Sequence, residues 1–218
     1  MSRFILSISL LALIVGGCND DQQACTQSQG AQKPVVSIVP IIDNTKNDYE
    51  WNLSDELSCS IYTRIAQKDH VTVNKASTVR HKIKQIAEGQ NPFGPDVSWM
   101  KKVFQGDQFA VFLELVEHEE VFNQDLKKRS EPQYCSSDLN MTMRVRVLDL
   151  RGDEPKIVLQ ELIHDSHYIP RPFTQANFFQ VTWGDECFNI SPLGLAHSDF
   201  TKEIASRIDD YISMAAKQ

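Results

Sequence analysis

The stretch FAVFLELV, from Phe109 to Val116, decides the fold of this chain. Every position in it is apolar except Glu114. A strand that is apolar along both faces is covered on both faces, and such strands lie at the centre of sheets that carry other elements on either side. The stretch therefore predicts a central strand, and the remaining elements are expected to pack around it.

Further strand patterns lie on both sides of this stretch in the chain. VVSIVPII (Val35–Ile42) is apolar and β-branched, and Pro40 stands near its end, where a missing N–H donor costs little. VTV (Val71–Val73) is a short strand. MTMRVRVLDL (141–150) and KIVLQELI (156–163) are strands joined by the turn Arg151–Glu154, which makes them a hairpin. These patterns predict a mixed sheet of about five strands.

Apolar residues at helical spacing alternate with these strands. They predict helices over Leu53–Gln67, Ser77–Gly89, Asp96–Gly106 and the C-terminal residues from Phe200 onward. Ser77 and Asp96 are candidate N-caps. The predicted order is β-α-β-α-α-β-β-β-α, an α/β fold with helices packed on a mixed β-sheet.

The N-terminal residues predict export and lipid attachment. Arg3 precedes an apolar run from Phe4 to Val15, and this run is too short for a membrane span, which takes about 20 residues. Val15-Gly-Gly-Cys18 resembles the lipobox of bacterial lipoproteins, whose cysteine receives diacylglycerol and becomes the first residue. We therefore expect residues 1–17 to be a signal peptide and Cys18 to be lipidated, with palmitate among its acyl chains. The alternative is an ordinary signal peptide followed by an unmodified cysteine.

Residues 18–33 connect this anchor to the body of the protein. They lack large apolar side chains, so they are predicted to form a flexible tether, and residues 34–218 remain for a single domain. The net charge of −7 argues against nucleic acid as a partner. Asn19 follows the cysteine, whereas enterobacterial lipoproteins held at the inner membrane carry Asp there. By that resemblance we expect the outer membrane.

Three motifs of the body resemble one family of envelope domains. They are SIVPIIDNT (37–45), VFQGDQFAVFLELV (103–116) and VRVLDLRGDEPKIVL (145–159). The first is similar to that family's first strand, the second to the entry into its middle strand, and the third to its hairpin. The family includes the curli secretion-channel lipoprotein, the lipoprotein activators of penicillin-binding proteins and the N-terminal domain of the Tol translocation protein. The resemblance covers most of residues 34–166 and the last helix, and it implies a periplasmic domain that binds other envelope components and performs no chemistry.

Residues 167–192 depart from the family pattern. They carry aromatic residues at no single period, among them Tyr168, Phe173, Phe178, Phe179 and Trp183. Such a segment is either an irregular arm packed over the domain edge or a partner-binding surface, because long loops often carry function. The departure also argues against a channel role, since the curli channel needs membrane-inserting hairpins of a length that this sequence does not contain.

Four cysteines follow Cys18, and export would place them in an oxidising compartment. Cys135 and Cys187 lie in loop-like stretches and form the favoured disulfide pair. Cys59 lies off the apolar stripe of its helix, from which it could meet Cys25 in the tether. Free thiols are the alternative, because the spacings are not diagnostic.

Sequence motifs for catalysis or metal binding are missing from the chain. It contains no Gly-x-Ser-x-Gly elbow, phosphate loop, His-Glu-x-x-His or Cys-x-x-Cys. EHEE (Glu117–Glu120) places His118 and Glu119 on opposite faces of a strand, so we expect a solvated strand end there. In HDSH, His164 and His167 likewise lie on opposite faces if the segment is an extended strand. The sequence therefore predicts no catalytic residue, no metal and no cofactor.

The expected function is that of a non-enzymatic binding or scaffolding module, held at a bacterial membrane by its N-terminal lipid and partnered by another envelope protein. Two alternatives stay open. One is an envelope hydrolase with a dispersed catalytic set, because triads need not be local in sequence. The other is a small-ligand carrier that uses residues 167–192 as a lid, and a large apolar cavity beneath them would favour it.

Overall fold

A single mixed sheet organises the computed structural model, which describes residues 33–86, 89–122, 136–170 and 181–218. Its strands are β1 (Val35–Ile38), β2 (Ile42–Asp43), β3 (Thr72–Val73), β4 (Phe109–Phe122), β5 (Ser137–Asp149) and β6 (Lys156–Ile169). They lie in the order β3-β1-β4-β5-β6, and β2 pairs with β4 beyond the end of β1. β1 runs parallel to β3 and β4, whereas β4, β5 and β6 form an antiparallel meander. FAVFLELV opens β4, so the predicted central strand and the mixed α/β fold are confirmed.

The first predicted strand is divided at Pro40. β1 ends at Ile38 and β2 begins at Ile42, further along β4. Because proline has no N–H, it cannot continue the ladder of hydrogen bonds. The Val39 amide still donates to the Val111 carbonyl at 2.9 Å, so the interruption is short and the chain continues along the same neighbour.

Among the described residues, four helices cover the sheet in two layers. They are α1 (Leu53–Ala66), α2 (Ala76–Ile83), α3 (Met100–Val103) and α4 (Pro192–Ala216), and a 3-10 turn at Phe188–Ile190 precedes α4. α1 and α4 pack on one face of the sheet, and α2 and α3 pack on the other. Within the described ranges, no helix has the length and apolar character needed to cross a membrane.

Side chains of neighbouring residues cap the two long helices. The Asn52 side chain accepts from the Asp55 amide at the start of α1, and the Ser191 hydroxyl accepts from the Gly194 amide at the start of α4. The two predicted caps are wrong. α2 already begins at Ala76, before Ser77, and Asp96 accepts from Ser98 in a turn that precedes α3.

The two layers differ in how much of the sheet they cover. Arg146, on the α2 and α3 side, is buried and donates to the carbonyls of Pro92, Phe93 and Gly94 at 2.7–2.9 Å, which fixes that loop on the sheet. Beyond Arg146 the same face is polar, with Arg144 and Glu114 in an ion pair of 2.8 Å. The α1 and α4 layer covers the sheet further along, and the candidate site lies under it.

Candidate functional site

Six of the residues singled out from the sequence lie outside the described ranges: Cys18, Cys25, Cys135, Phe173, Phe178 and Phe179. The structure places Tyr168 on β6, because this strand continues to Ile169. Tyr168 pairs with Asp138 and is exposed on the face away from α1 and α4. Trp183 lies in a turn beside α1 and α4. Tyr168 and Trp183 are therefore on opposite faces of the sheet and do not share a surface.

The two cysteines that the structure describes are not bonded to each other. Cys59 and Cys187 are both exposed. Their predicted partners, Cys25 and Cys135, lie outside the described residues, so the two disulfides stay predictions.

A β-bulge at Val116 decides which side chains of β4 turn inward. Leu115 pairs with Met143 and Glu117 pairs with Thr142, so Val116 is an extra residue without a partner on β5. Up to Leu115 the odd-numbered residues face α1 and α4, and beyond the bulge the even-numbered residues do. His118 is consequently only 8% exposed, which corrects the prediction of a solvated strand end at this position.

The inward-facing His118 belongs to a buried chain of hydrogen bonds. Its Nε2 lies 2.9 Å from Nε2 of His197 on α4, and Nδ1 of His197 lies 2.7 Å from Oε1 of Glu56 on α1. Oε2 of Glu56 accepts the indole N–H of Trp51 at 2.7 Å. Because a buried carboxylate is costly without partners, the two bonds to Glu56 account for its place in the interior. The chain of bonds ties together β4, α4, α1 and the loop before α1.

The protons of this chain can be assigned from its partners. The Glu56 carboxylate accepts, so Nδ1 of His197 donates to it. Burial and the neighbouring His197 lower the pKa of His118 to about 3, so His118 is neutral at pH 7. One of the two facing Nε2 atoms therefore donates and the other accepts.

Three aromatic rings enclose the chain of hydrogen bonds. Tyr49 stacks on Trp51 with centroids 4.5 Å apart, and it meets His118 edge-on at 5.5 Å. Phe188 meets Trp51 edge-on at 5.7 Å. Burial raises the pKa of the Tyr49 hydroxyl well above its usual value, and the charges of Glu120 and Glu56 add to this effect. The rings pack against these groups, and hydrogen bonds between buried groups are stronger than the same bonds in water.

The chain of hydrogen bonds runs from the Glu56 carboxylate to the His197 imidazole and then to the His118 imidazole. A hydrolytic triad places a hydroxyl or thiol in the third position, and here His118 occupies it. Among the described residues, no Ser, Thr or Cys side chain bonds to the ring of His118 or His197. The same residues contain no group of three or more His, Cys, Asp or Glu side chains arranged to hold a metal ion. The geometry thus fits a structural link between elements better than an activated nucleophile.

An apolar cleft opens beside the aromatic rings. We use this name for the depression lined by Tyr49, Trp51, Leu139, Ile169, Pro170, Val181, Pro192 and Leu193, together with Glu120 and Ser191. Its volume is about 110 Å³. Pockets for drug-sized ligands hold roughly 300–1,000 Å³, whereas a cavity of about 150 Å³ admits one benzene ring. The apolar cleft therefore has room for one apolar side chain or a few methylene groups.

Sequence reasoning missed Trp51, Glu56 and His197, although two of them leave a signal. Glu56 is next to Leu57 in the buried stripe of α1, and His197 is next to Ala196 in that of α4. A polar residue inside an apolar stripe indicates a buried hydrogen-bond partner. The pattern does not identify the partner of His197, because His118 faces His197 only as a result of the bulge at Val116.

The chain matches one family model and shares its fold with solved structures. Residues 22–216 match the model of a family of unknown function, DUF7499. The hypothetical protein CT253 from Chlamydia trachomatis is similar in structure, with a TM-score of 0.63 and 22% identity over 83% of this chain and 98% of that one. Protein XCC0632 from Xanthomonas campestris is similar with a TM-score of 0.50 and 6% identity, over 85% and 89% of the two chains.

A more distant similarity is to lipoprotein GNA1162 from Neisseria meningitidis, with a TM-score of 0.42 and 13% identity over 79% of this chain and 99% of that one. No curated protein matches the chain in sequence. At these identities the solved structures of CT253 and XCC0632 show a common fold.

Proposed function

We infer the function of this chain, which belongs to the family of unknown function DUF7499, from its apolar cleft and its N-terminal sequence. We propose that it is a lipid-anchored, non-enzymatic binding module of the bacterial envelope. In this proposal the apolar cleft receives one apolar side chain of a partner protein.

The volume of the apolar cleft carries the proposal. At about 110 Å³ it is smaller than the roughly 300 Å³ at which pockets for small ligands begin. Among the described residues this argues against the carrier alternative, which needs a large apolar cavity beneath residues 167–192. A protein partner needs less room, because interfaces are commonly anchored by a few side chains that each fill a small pocket.

The lining of the cleft supports an anchor of this kind. Trp51 and Tyr49 are stacked and held by the hydrogen bond from Trp51 to Glu56, so part of the cleft wall is fixed before anything binds. Leu193 and Pro192 begin α4, which a capping hydrogen bond from the Gly194 amide to the Ser191 hydroxyl holds in place. A preformed pocket lowers the entropy that association must overcome.

The N-terminal sequence supports the anchor and the reach of the body. Cys18 stands where the lipobox places the modified cysteine, and about 15 residues without large apolar side chains follow it. A flexible chain of this length reaches on the order of 20 Å. The body would then meet partners close to the membrane surface.

Site-specific photo-cross-linking in intact cells tests the proposal. A photoreactive side chain at Leu193, in the apolar cleft, is expected to give one discrete protein adduct. The control is the same side chain at Leu162, which is 62% exposed on the opposite face of the sheet. Adding Ile169→Lys, which places a charge in the cleft, should abolish the Leu193 adduct. An adduct that survives Ile169→Lys, or that forms equally at Leu162, would contradict the proposal.

A further inference from the structure

A second depression lies between α1 and α4, and its walls are polar. We call it the polar groove, and it is lined among others by Thr63, Arg64, Gln67, Trp183, Asn189 and Ser198. Its volume of about 490 Å³ falls within the roughly 300–1,000 Å³ of small-ligand sites. We propose that the polar groove binds an oligosaccharide, with a preference for sugars that carry a carboxylate. This proposal does not depend on what fills the apolar cleft.

The turn Thr182–Asp185 holds a large aromatic ring at the groove. The Asp185 carboxylate accepts from the Thr182 amide at 2.9 Å and from the Thr182 hydroxyl at 3.0 Å, and the Asp185 amide donates back to the Thr182 carbonyl at 3.1 Å. Gly184 has a φ of 106°, which favours glycine. Trp183 is nevertheless 39% exposed. A tight turn that leaves an indole ring in contact with solvent provides a flat apolar surface for a ligand.

The base of the same segment is fixed against α4. The Ser191 hydroxyl donates to the Phe188 carbonyl at 2.7 Å and accepts from the Gly194 amide at 3.0 Å. Phe188 is buried against Trp51 and His197. A Cβ at Gly194 would lie 1.9 Å from the Phe188 carbonyl oxygen, so helix and segment are in direct backbone contact. The wall of the groove that carries Trp183 is therefore preformed.

The polar groups of the groove match the hydroxyl groups of a sugar. The side-chain amides of Gln67 and Asn189 and the indole N–H of Trp183 have no hydrogen-bond partner among the described residues. Each amide offers donors and an acceptor, as a sugar hydroxyl does. The apolar face of a pyranose ring stacks on an indole, so aromatic and amide groups at one groove suit a carbohydrate.

Arg64 supplies the expected charge preference. Its Nη2 donates to the carbonyl and the hydroxyl of Ser198 at 3.1 and 2.8 Å, and its Nε lies 3.4 Å from the Ser60 hydroxyl. Nη1 has no partner among the described residues, so a guanidinium that is already held in place keeps one side available. Arginine in such a position favours a carboxylate. The nearby Glu56 carboxylate is already bonded to His197 and Trp51.

Titration of the full chain in detergent with two trisaccharides tests the proposal. Trigalacturonate carries carboxylates and chitotriose does not, and binding is read by calorimetry and by tryptophan fluorescence. We expect trigalacturonate to bind more tightly than chitotriose. Trp183→Ala should weaken both by roughly fivefold to tenfold, the size of one lost stacking contact, while Trp183→Tyr should retain most of the affinity. Arg64→Gln should remove the preference for trigalacturonate.

Matched controls separate the groove from the rest of the surface. Arg207→Gln changes an exposed arginine of α4 that pairs with Glu203 and Glu161, and it should leave both affinities unchanged. A trialanine peptide should not compete with either trisaccharide. The proposal is overturned if neither trisaccharide binds, if binding survives Trp183→Ala unchanged, or if trialanine competes equally well.

Discussion

At the scale of single residues, the fold controls the protonation of His118. Burial and His197 hold the pKa of His118 at about 3, whereas an unfolded histidine titrates near 6.5. Between these two values the unfolded chain binds a proton that the folded chain does not. The stabilising contribution is therefore complete above pH 6.5 and is lost as the pH falls toward 3.

This difference predicts an acid-sensitive stability. Between pH 7 and pH 5, one histidine with these two pKa values should lower the free energy of unfolding by about 2 kcal/mol. Urea denaturation at pH 7, 6 and 5 measures it, and His118→Gln, which cannot be protonated, is the control. We expect the wild-type protein to lose about 2 kcal/mol more than the variant over this range. Equal losses in the two proteins would show that His118 is not held neutral.

Glu56 is the residue on which the buried chain of hydrogen bonds depends. Glu56→Ala removes the acceptor of both His197 and Trp51 and leaves their N–H groups buried without a partner. Breaking a buried pair in this way costs about 3–5 kcal/mol of unfolding free energy. Glu203→Ala is the matched control, because Glu203 pairs with Arg207 on the exposed side of α4 and should change stability by less than about 1 kcal/mol. Similar urea midpoints for the two variants would contradict this assignment.

At the scale of elements, the start of α4 is fixed by a backbone contact. A Cβ at Gly194 would meet the Phe188 carbonyl at 1.9 Å, and neither backbone can yield without moving the other. Gly194→Ala should therefore cost about 1–3 kcal/mol or more, since overpacking is destabilising. Gly152→Ala is the control, because the nearest atom to a Cβ there is 3.6 Å away. Thermal unfolding compares the two, and equal midpoints would show that the contact is not tight.

The bulge in β4 is the element-scale feature that brings His118 inward. Deleting Val116 removes only the extra residue, so Glu117 follows Leu115 directly and the pairs Leu115–Met143, Glu117–Thr142 and His118–Met141 become consecutive, with His118 still facing inward. Because the bond from His118 to His197 is retained, we expect the deletion to lower the free energy of unfolding by much less than Glu56→Ala does. Val116→Thr keeps the extra residue and changes only an exposed side chain, so it should be close to neutral. A Val116 deletion that is as destabilising in urea as Glu56→Ala would show that Val116 is not the extra residue of the bulge.

Comparison of the predicted with the observed elements shows how much of the fold can be predicted from the sequence. The hydrophobic pattern alone predicts the strand FAVFLELV, the helix at Leu53 and the 141–163 hairpin. The structure confirms all three. The bulge does not follow from it, because one extra residue leaves no trace in a pattern of apolar positions. The predicted solvated strand end at EHEE was wrong at His118 for this reason, and the link from His118 to His197 was missed with it. The apolar cleft could not be predicted from the sequence either, because its lining residues come from parts of the chain that are far apart in sequence.

At the scale of the whole molecule, the two depressions share a common wall. Trp51 lines the apolar cleft, while Glu56 and His197 line the polar groove, and hydrogen bonds join these three residues. The polar groups of these three residues bond to one another. The other lining residues of the apolar cleft and of the polar groove lie on opposite sides of this wall. The two proposed binding surfaces are thus separate. A lipid-anchored protein with two such surfaces would be able to connect envelope components near the membrane.

The anchor itself gives the last prediction. Each buried methylene group contributes about 0.8 kcal/mol to membrane attachment, and one acyl chain of myristoyl length holds a protein only marginally. A diacylglycerol thioether together with an acylated amine at Cys18 would exceed that threshold, so the attachment would be stable. Cys18→Ala should therefore abolish labelling with a palmitate probe and leave an uncleaved precursor. Cys25→Ala, seven residues further along the tether, should be labelled and processed as the wild type is. Gel mobility and probe fluorescence measure both effects, and a Cys18→Ala protein that still carries the label would exclude lipidation at this position.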